Sequence, residues 1–239
     1  MILSFRDLEL ADSDSMRLRR WGVDAMACPS HEAQQRSYDE SRLAQADAFI
    51  LTSQQAAYAL PTDNTNRPVL CVGRASAASA RQRGYHNVRW GPSDGQGLAQ
   101  MICQDAGLAK SQLCWLRARS ISFDMKSALR DAGIACHQEI VYEMVAKTSL
   151  PDTVCDAFQK GQVTGLMALS KAQLGQAQIL LHAYELWQFA KHRPLFVVSQ
   201  AVADMAVAAG WQSVIVARRK RAISVQAAVV CHNKASPLR

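Results

Sequence analysis

The sequence lacks the glycine patterns that hold nucleotides. No Gly-x-Gly-x-x-Gly, no Gly-x-Ser-x-Gly and no phosphate-loop lysine motif occurs in its 239 residues, which argues against a cradled pyrophosphate and a serine nucleophile elbow. It also lacks a membrane span, because Asp204 and Arg218 interrupt the best apolar stretch before the ~18 residues a span needs. The opening MILSFRDLELADSD brings Arg6, Asp7 and Glu9 at once, without the basic start and longer apolar run of a signal peptide. A cytoplasmic protein is expected. Seven cysteines form no Cys-x-x-Cys and no cluster with the six histidines, so buried reduced thiols are expected and no metal site. Aromatics are only 7% of the chain and are not spaced for base stacking. The formal charge of +7, including the run Arg218-Arg219-Lys220-Arg221, suits a small polyanionic ligand as well as nucleic acid; the run itself reads equally as a solvated helix start.

What the chain does have is alternation. Short apolar or β-branched runs predict strands at 1–5, 23–28, 48–52, 69–72, 88–90, 113–116, 139–142, 165–169, 195–198 and 214–217. Helical patterns such as 11–20, 75–83, 97–106, 123–132 and 202–209 lie between them. This pitch predicts an α/β protein with parallel sheets flanked by helices. The polar stretch Pro29–Tyr38 and the segment Ala146–Pro151 read as crossings between two lobes.

The chain also repeats itself. Laid on each other without a gap at an offset of 126, residues 67–91 and 193–217 share eight of 25 positions, among them Arg67/Arg193, Pro68/Pro194, Ala75/Ala201 and Gly84/Gly210. Ile2–Arg6 with Gly22 matches Leu113–Arg117 with Gly133 at an offset of 111, and Phe49–Ser53 matches Leu166–Ser170. The order is a strand ending in Arg, a strand ending in Ser, and a strand-turn-Ala unit, then all three again. Three ordered matches predict two related lobes rather than a solenoid.

Ligands of parallel sheets collect at the carboxyl edge, where unpaired N–H groups and helix dipoles favour anions. Four turns fall there: Ser53-Gln54, Gly73-Arg74-Ala75-Ser76, Ser170-Lys171 and Ser199-Gln200-Ala201. Arg6 and Arg117 end strands on the same edges and suit bidentate pairing with carboxylates. For each Ser the bland alternative is a helix cap, and for the small residues close packing of helix on sheet. Tyr142 closes the run Glu139-Ile140-Val141-Tyr142, and alternation sends it to the face opposite Glu139 and Glu143. It is either a half-buried core tyrosine or a hydroxyl able to donate a proton to a leaving group. Spacing reveals no paired carboxylates and no Cys–His dyad.

Taken in order, Ile2-Leu3…Arg6, Phe49-Ile50-Leu51-Thr52-Ser53, Val72-Gly73-Arg74-Ala75-Ser76-Ala77, Leu113…Arg117, Val141-Tyr142-Glu143, Leu169-Ser170 and Val197-Val198-Ser199…Ala203…Gly210-Trp211 resemble the uroporphyrinogen-III synthase family over nearly the whole chain. The resemblance implies two similar α/β lobes joined by a two-strand linker with a cleft between them. It assigns residues 1–30 and 148–239 to one lobe, 37–145 to the other, and 31–36 and 146–147 to the linker. It implies a lyase that closes hydroxymethylbilane, a linear tetrapyrrole polycarboxylate, to uroporphyrinogen III with loss of water and inversion of the last ring. No cofactor is implied. Tyr142 matches the position expected to assist loss of the hydroxyl, and the four turns with Arg6 and Arg117 are expected to bind substrate. A monomer is expected, touching the preceding pathway enzyme transiently and binding neither membrane nor nucleic acid. The chain departs from the family pattern at Phe5, Asp7, Ala118 and Lys220. The alternative from another class is a catalytically inactive two-lobed homologue that binds a small anionic ligand.

Overall fold

The computed structural model describes residues 1–91 and 94–235. The chain falls into two units, Met1–Glu32 with Val145–Arg239 (unit one) and Ala33–Met144 (unit two). Eleven strands are present among the described residues. They are β1 (Ile2–Ser4), β2 (Ala25–Ala27), β3 (His31–Gln35), β4 (Ala48–Leu51), β5 (Val69–Cys71), β6 (Val88–Trp90), β7 (Leu113–Ala118), β8 (Cys136–Ala146), β9 (Gly165–Ala168), β10 (Leu195–Val197) and β11 (Val214–Val216). The helices are α1 (Leu8–Arg20), α2 (Glu40–Ala44), α3 (Arg74–Gln82), α4 (Gly95–Cys103), α5 (Met125–Asp131), α6 (Asp152–Gln159), α7 (Lys171–Ala183), α8 (Trp187–Ala190), α9 (Gln200–Ala208) and α10 (Ala222–Ala235), with a 3₁₀ turn at Gln54–Ala59.

The sheet of unit one runs β11-β10-β9-β1-β2 and is parallel throughout. That of unit two runs β3-β8-β7-β4-β5-β6. Its last five strands are parallel. The expectation of purely parallel sheets needs one amendment at β3. Arg36 N donates to Val141 O and Lys147 N to Ser30 O, so the pairs climb one strand as they descend the other, and β3 lies antiparallel on β8.

Each repeated segment takes the same place in its sheet. Ile2 faces Ala25 as Leu113 faces Cys136; Ile2 faces Gly165 as Leu113 faces Ala48; Phe49 faces Val69 as Leu195 faces Leu166. Gly22 and Gly133 have φ of 78° and 77°, and Gly84 and Gly210 have 89° and 95°. These are left-handed helix stops that a side chain would strain. The chain is therefore two tandem copies of a five-strand pattern, but neither unit is one copy. Unit one joins the first two strands of the first copy to the last three of the second, and unit two joins the remainder.

Both sheets are covered on both faces. In unit one Leu3, Leu166, Leu174, Leu195 and Ala206 pack on one side, and Ile2, Leu18, Phe196, Val225 and Val229 on the other. Phe49, Leu51, Ala77, Cys114 and Tyr85 form one layer of unit two, and Ile50, Leu98, Trp115 and Leu129 the other. A buried Phe or Leu stabilises by about 1.5–3 kcal/mol, and helix cover on both faces leaves only the strand ends for a ligand.

Candidate functional site

The four expected turns lie at the carboxyl edges and behave alike in both units. After β4, Ser53 Oγ accepts from Gln55 N at 3.3 Å. After β9, Ser170 Oγ accepts from Gln173 N at 3.1 Å, while Gln173 Oε1 accepts from Leu169 N at 2.9 Å. Those two serines thus cap their own turns, the bland role weighed for them. The turns after β5 and β10 differ. Gly73 begins α3 and Ser199 begins α9, and neither supplies a side-chain cap. Neither α3 nor α9, nor α1 after Asp7, has a side-chain cap at its first turn, and the helix dipole at such a start favours an anion. Gly73 has an extended φ of 173°, open to any residue, and a Cβ there would meet nothing within 4 Å, consistent with Ser199 at the equivalent place. Arg74, Ala75, Lys171 and Ala201 are exposed, Gln54 is half-buried and Ser76 is buried. Gln200 Nε2 donates to Asp204 Oδ1 at 2.8 Å.

The two strand-ending arginines are engaged by the protein. Arg6 Nη1 donates to both oxygens of Asp14 at 2.9 and 3.0 Å. Asp14 is 3% exposed and also accepts from Gln226 Nε2 at 2.5 Å. Burial raises the Asp14 carboxyl above its ordinary value against the pull of Arg6, and Asp14, held by both Arg6 and Gln226, links the end of β1 and α1 to α10. Arg117 Nη1 donates to Ala118 O at 2.8 Å and Arg119 O at 3.0 Å, and its guanidinium lies over Trp115 at 5.6 Å. Its Nε is buried without a hydrogen-bond partner. The basic run 218–221 is exposed just ahead of α10, and Arg219 N donates to Ser224 Oγ at 3.2 Å.

Tyr142, 7% exposed, opens onto a pocket of about 320 Å³ within unit two, shared with Thr52, Ser53, Val72, Trp115 and the segment Ser120–Phe123. The pocket stands over the ends of β4 and β7, where the strand order reverses, the usual ligand position in a doubly wound sheet. A bulge aims Tyr142. Arg117 faces Ile140 but Ala118 faces Tyr142, leaving Val141 as an extra residue. Simple alternation therefore fails, and Val141 and Tyr142 join the same apolar cluster, as bulges beside functional sites commonly arrange. Glu139 and Glu143 are occupied by arginines: Arg42 at 3.0 Å, and Arg36 and Arg119 at 2.5 and 2.8 Å.

Sequence reasoning did not single out Thr52, Trp115 or Ser120–Phe123, which reach the pocket from strands and a loop remote in the chain. One wall is fixed by Gly95, where a Cβ would come within 2.9 Å of Phe123. The pocket's described lining carries no cationic side chain and one carboxylate, Asp94, whose Oδ1 accepts from Gly97 N at 2.8 Å. Among the described residues no group of three or more His, Cys, Asp or Glu side chains could hold a metal. Burial pushes the thiols of Cys28, Cys71 and Cys114 up to about 12, which makes them packing groups rather than nucleophiles. No described helix is long and apolar enough to cross a membrane.

Fold and edges together define a doubly wound α/β protein of two units, with helices α3 and α9 starting without a side-chain cap at equivalent strand ends. The chain belongs to the uroporphyrinogen-III synthase family: the family model HEM4, uroporphyrinogen-III synthase HemD, matches residues 12–225. Among solved structures, uroporphyrinogen-III synthetase from Helicobacter pylori is similar at 16% identity and a TM-score of 0.61, over 97% of this chain and 98% of that one. A mutant uroporphyrinogen III synthase from Thermus thermophilus has 13% identity and a TM-score of 0.49, over 98% and 97%. At such identities the likeness is one of fold. No curated protein matches the chain.

Proposed function

We propose that this chain is a uroporphyrinogen-III synthase: a lyase that closes hydroxymethylbilane to uroporphyrinogen III, with loss of water and inversion of the last ring. No cofactor enters this reading. The observation that carries it is the family match across residues 12–225. Geometry supports it through the uncapped starts of α3 and α9, at equivalent places in the two units.

In this reading the turns Gly73–Ser76 and Ser199–Ala201 bind substrate carboxylates through backbone N–H groups, each helix start contributing about 0.3–1 kcal/mol. Ser53, Gln54, Ser170 and Lys171 line the same edges, and Arg6 and Arg117 end strands there as further carboxylate partners. Tyr142 donates its hydroxyl proton toward the departing hydroxyl, so that water leaves rather than hydroxide. The linear substrate closes unaided to the uninverted isomer, so the binding turns must also fold it. The enzyme acts in the cytoplasm as a monomer, receiving substrate through transient contact with the preceding pathway enzyme and binding no nucleic acid.

The test is to supply freshly made hydroxymethylbilane and resolve the isomers. Formation of the inverted isomer is expected. Only the uninverted isomer, as in the absence of protein, overturns the reading.

A further inference from the structure

We infer that Trp115 is a positioning residue that fixes Thr52 as a hydrogen-bond donor to an acceptor oxygen of the bound substrate; this rests on the synthase reading. Trp115 is 1% exposed, and its indole Nε1–H donates to Thr52 Oγ1 at 3.2 Å. An indole N–H can only donate, so the threonine oxygen must accept, and its own proton is turned elsewhere. Among the described residues no protein group accepts that proton, and Thr52 lines the pocket beside Tyr142. A hydroxyl whose accepting side is taken by a buried, immobile donor presents its hydrogen to the pocket. Without Trp115 the same hydroxyl rotates and serves equally as acceptor.

Two further observations support the assignment. The described lining of this pocket has no cationic side chain, so an acceptor oxygen placed there depends on neutral donors. The pair also has no counterpart in unit one. At the equivalent positions unit one has Ser4 and Leu169, and Ser4 Oγ is buried without a hydrogen-bond partner. The same sheet is built there without an indole–hydroxyl pair, which leaves a local task in unit two as the reason for it.

The acceptor is either a carboxylate, which the product keeps, or the hydroxyl that departs, which the product lacks. Product affinity separates the two. Thr52→Val removes the donor without changing shape, and a loss of about tenfold or more in kcat/KM is expected. A parallel fall in affinity for uroporphyrinogen III, measured anaerobically, identifies a carboxylate. Unchanged product affinity with lower kcat identifies the departing hydroxyl. Thr52→Ser keeps most of the activity.

Trp115→Phe lowers kcat/KM about threefold or more in the wild-type background and has no further effect when Thr52 is already Val, because coupled groups are non-additive. If Trp115 served packing alone, its substitution would cost the same in both backgrounds, and that result overturns the inference. So does a Thr52→Val enzyme as active as wild type. A wild-type chain yielding only the uninverted isomer instead fails the functional reading, so the two failures are distinguishable.

Discussion

The two units share a frame and differ in what stands over its centre. Strand register, the left-handed glycines and the capping habit of each turn are the same in both. Where unit two places Trp115, Thr52 and Tyr142, unit one places Ser4, Leu169 and, at the 111-residue offset, His31. The His31 ring lies 3.1 Å from Ser30 Oγ, and burial lowers its pKa. The strand-ending arginine also diverges: Arg6 braces a buried carboxylate while Arg117 folds back on its own carbonyls. Backbone geometry is what the duplication preserved, because register and φ are set by many contacts at once. Side chains over the strand ends are bound by few such contacts and were able to specialise.

Four measurements would break or sharpen this comparison. The largest expected effect is at Tyr142. Tyr142→Phe should lower kcat by about 100-fold, within the range of a lost general acid, while product affinity stays near wild type; His31→Phe should leave kcat near wild type. Equal losses, or none, would remove the functional asymmetry. Next is Gly165, whose counterpart is Ala48. A Cβ at Gly165 would meet Ile2 Cδ1 at 2.9 Å, Phe196 Cε2 at 3.1 Å and Pro194 O at 3.2 Å. Gly165→Ala should therefore cost about 1–3 kcal/mol in denaturant unfolding by overpacking, whereas Ala48→Gly costs about 0.5–1 kcal/mol.

Third is alkaline pH. The native state keeps protons on Cys28, Cys71 and Cys114 up to about 12, while the unfolded thiols release theirs near 9.0. A raised acid pKa means fewer protons bound in the unfolded state, so stability falls as pH rises above 9. By pH 10 each thiol contributes a loss of roughly 1 kcal/mol. Unit two carries two of the three, so Cys71→Ala with Cys114→Ala should flatten the slope more than Cys28→Ala. The smallest difference is expected between Gly84→Ala and Gly210→Ala. Each should destabilise by about 1 kcal/mol, and a clear inequality would show that the two stops are not equivalent.

Much of the frame was legible because it is written locally. The strand of Leu195–Val197 and the helix of Gln200–Ala208 follow from apolar runs, a small-residue period and Gly210 as a stop. The two-lobed pattern followed from ordered matches at Arg6/Arg117, Ser53/Ser170 and Gly84/Gly210. What was not legible depends on partners remote in the chain. The bulge at Val141 exists only against Arg117 and Ala118 of β7, so alternation alone misaimed Tyr142. The Trp115–Thr52 bond joins residues 63 apart. That Arg6 is held by Asp14 needed α1 to fold back on β1. Which helix starts are uncapped was equally hidden, since Ser170 and Ser199 look alike in sequence and only Ser170 turns its hydroxyl onto its helix.

The exchange of segments between copies also sets a timetable for synthesis. Unit two is one continuous stretch, Ala33–Met144, and all of its sheet exists once the chain has been made through β8. The first strand is less fortunate. Ile2 pairs with Gly165, so the apolar residues Ile2, Leu3 and Phe5 leave the ribosome well before β9 can cover them. A nascent chain thus carries a finished domain behind an unpaired apolar strand edge, the kind of species that aggregates or recruits chaperones. β1 is made long before β9 and is among the last strands to be buried.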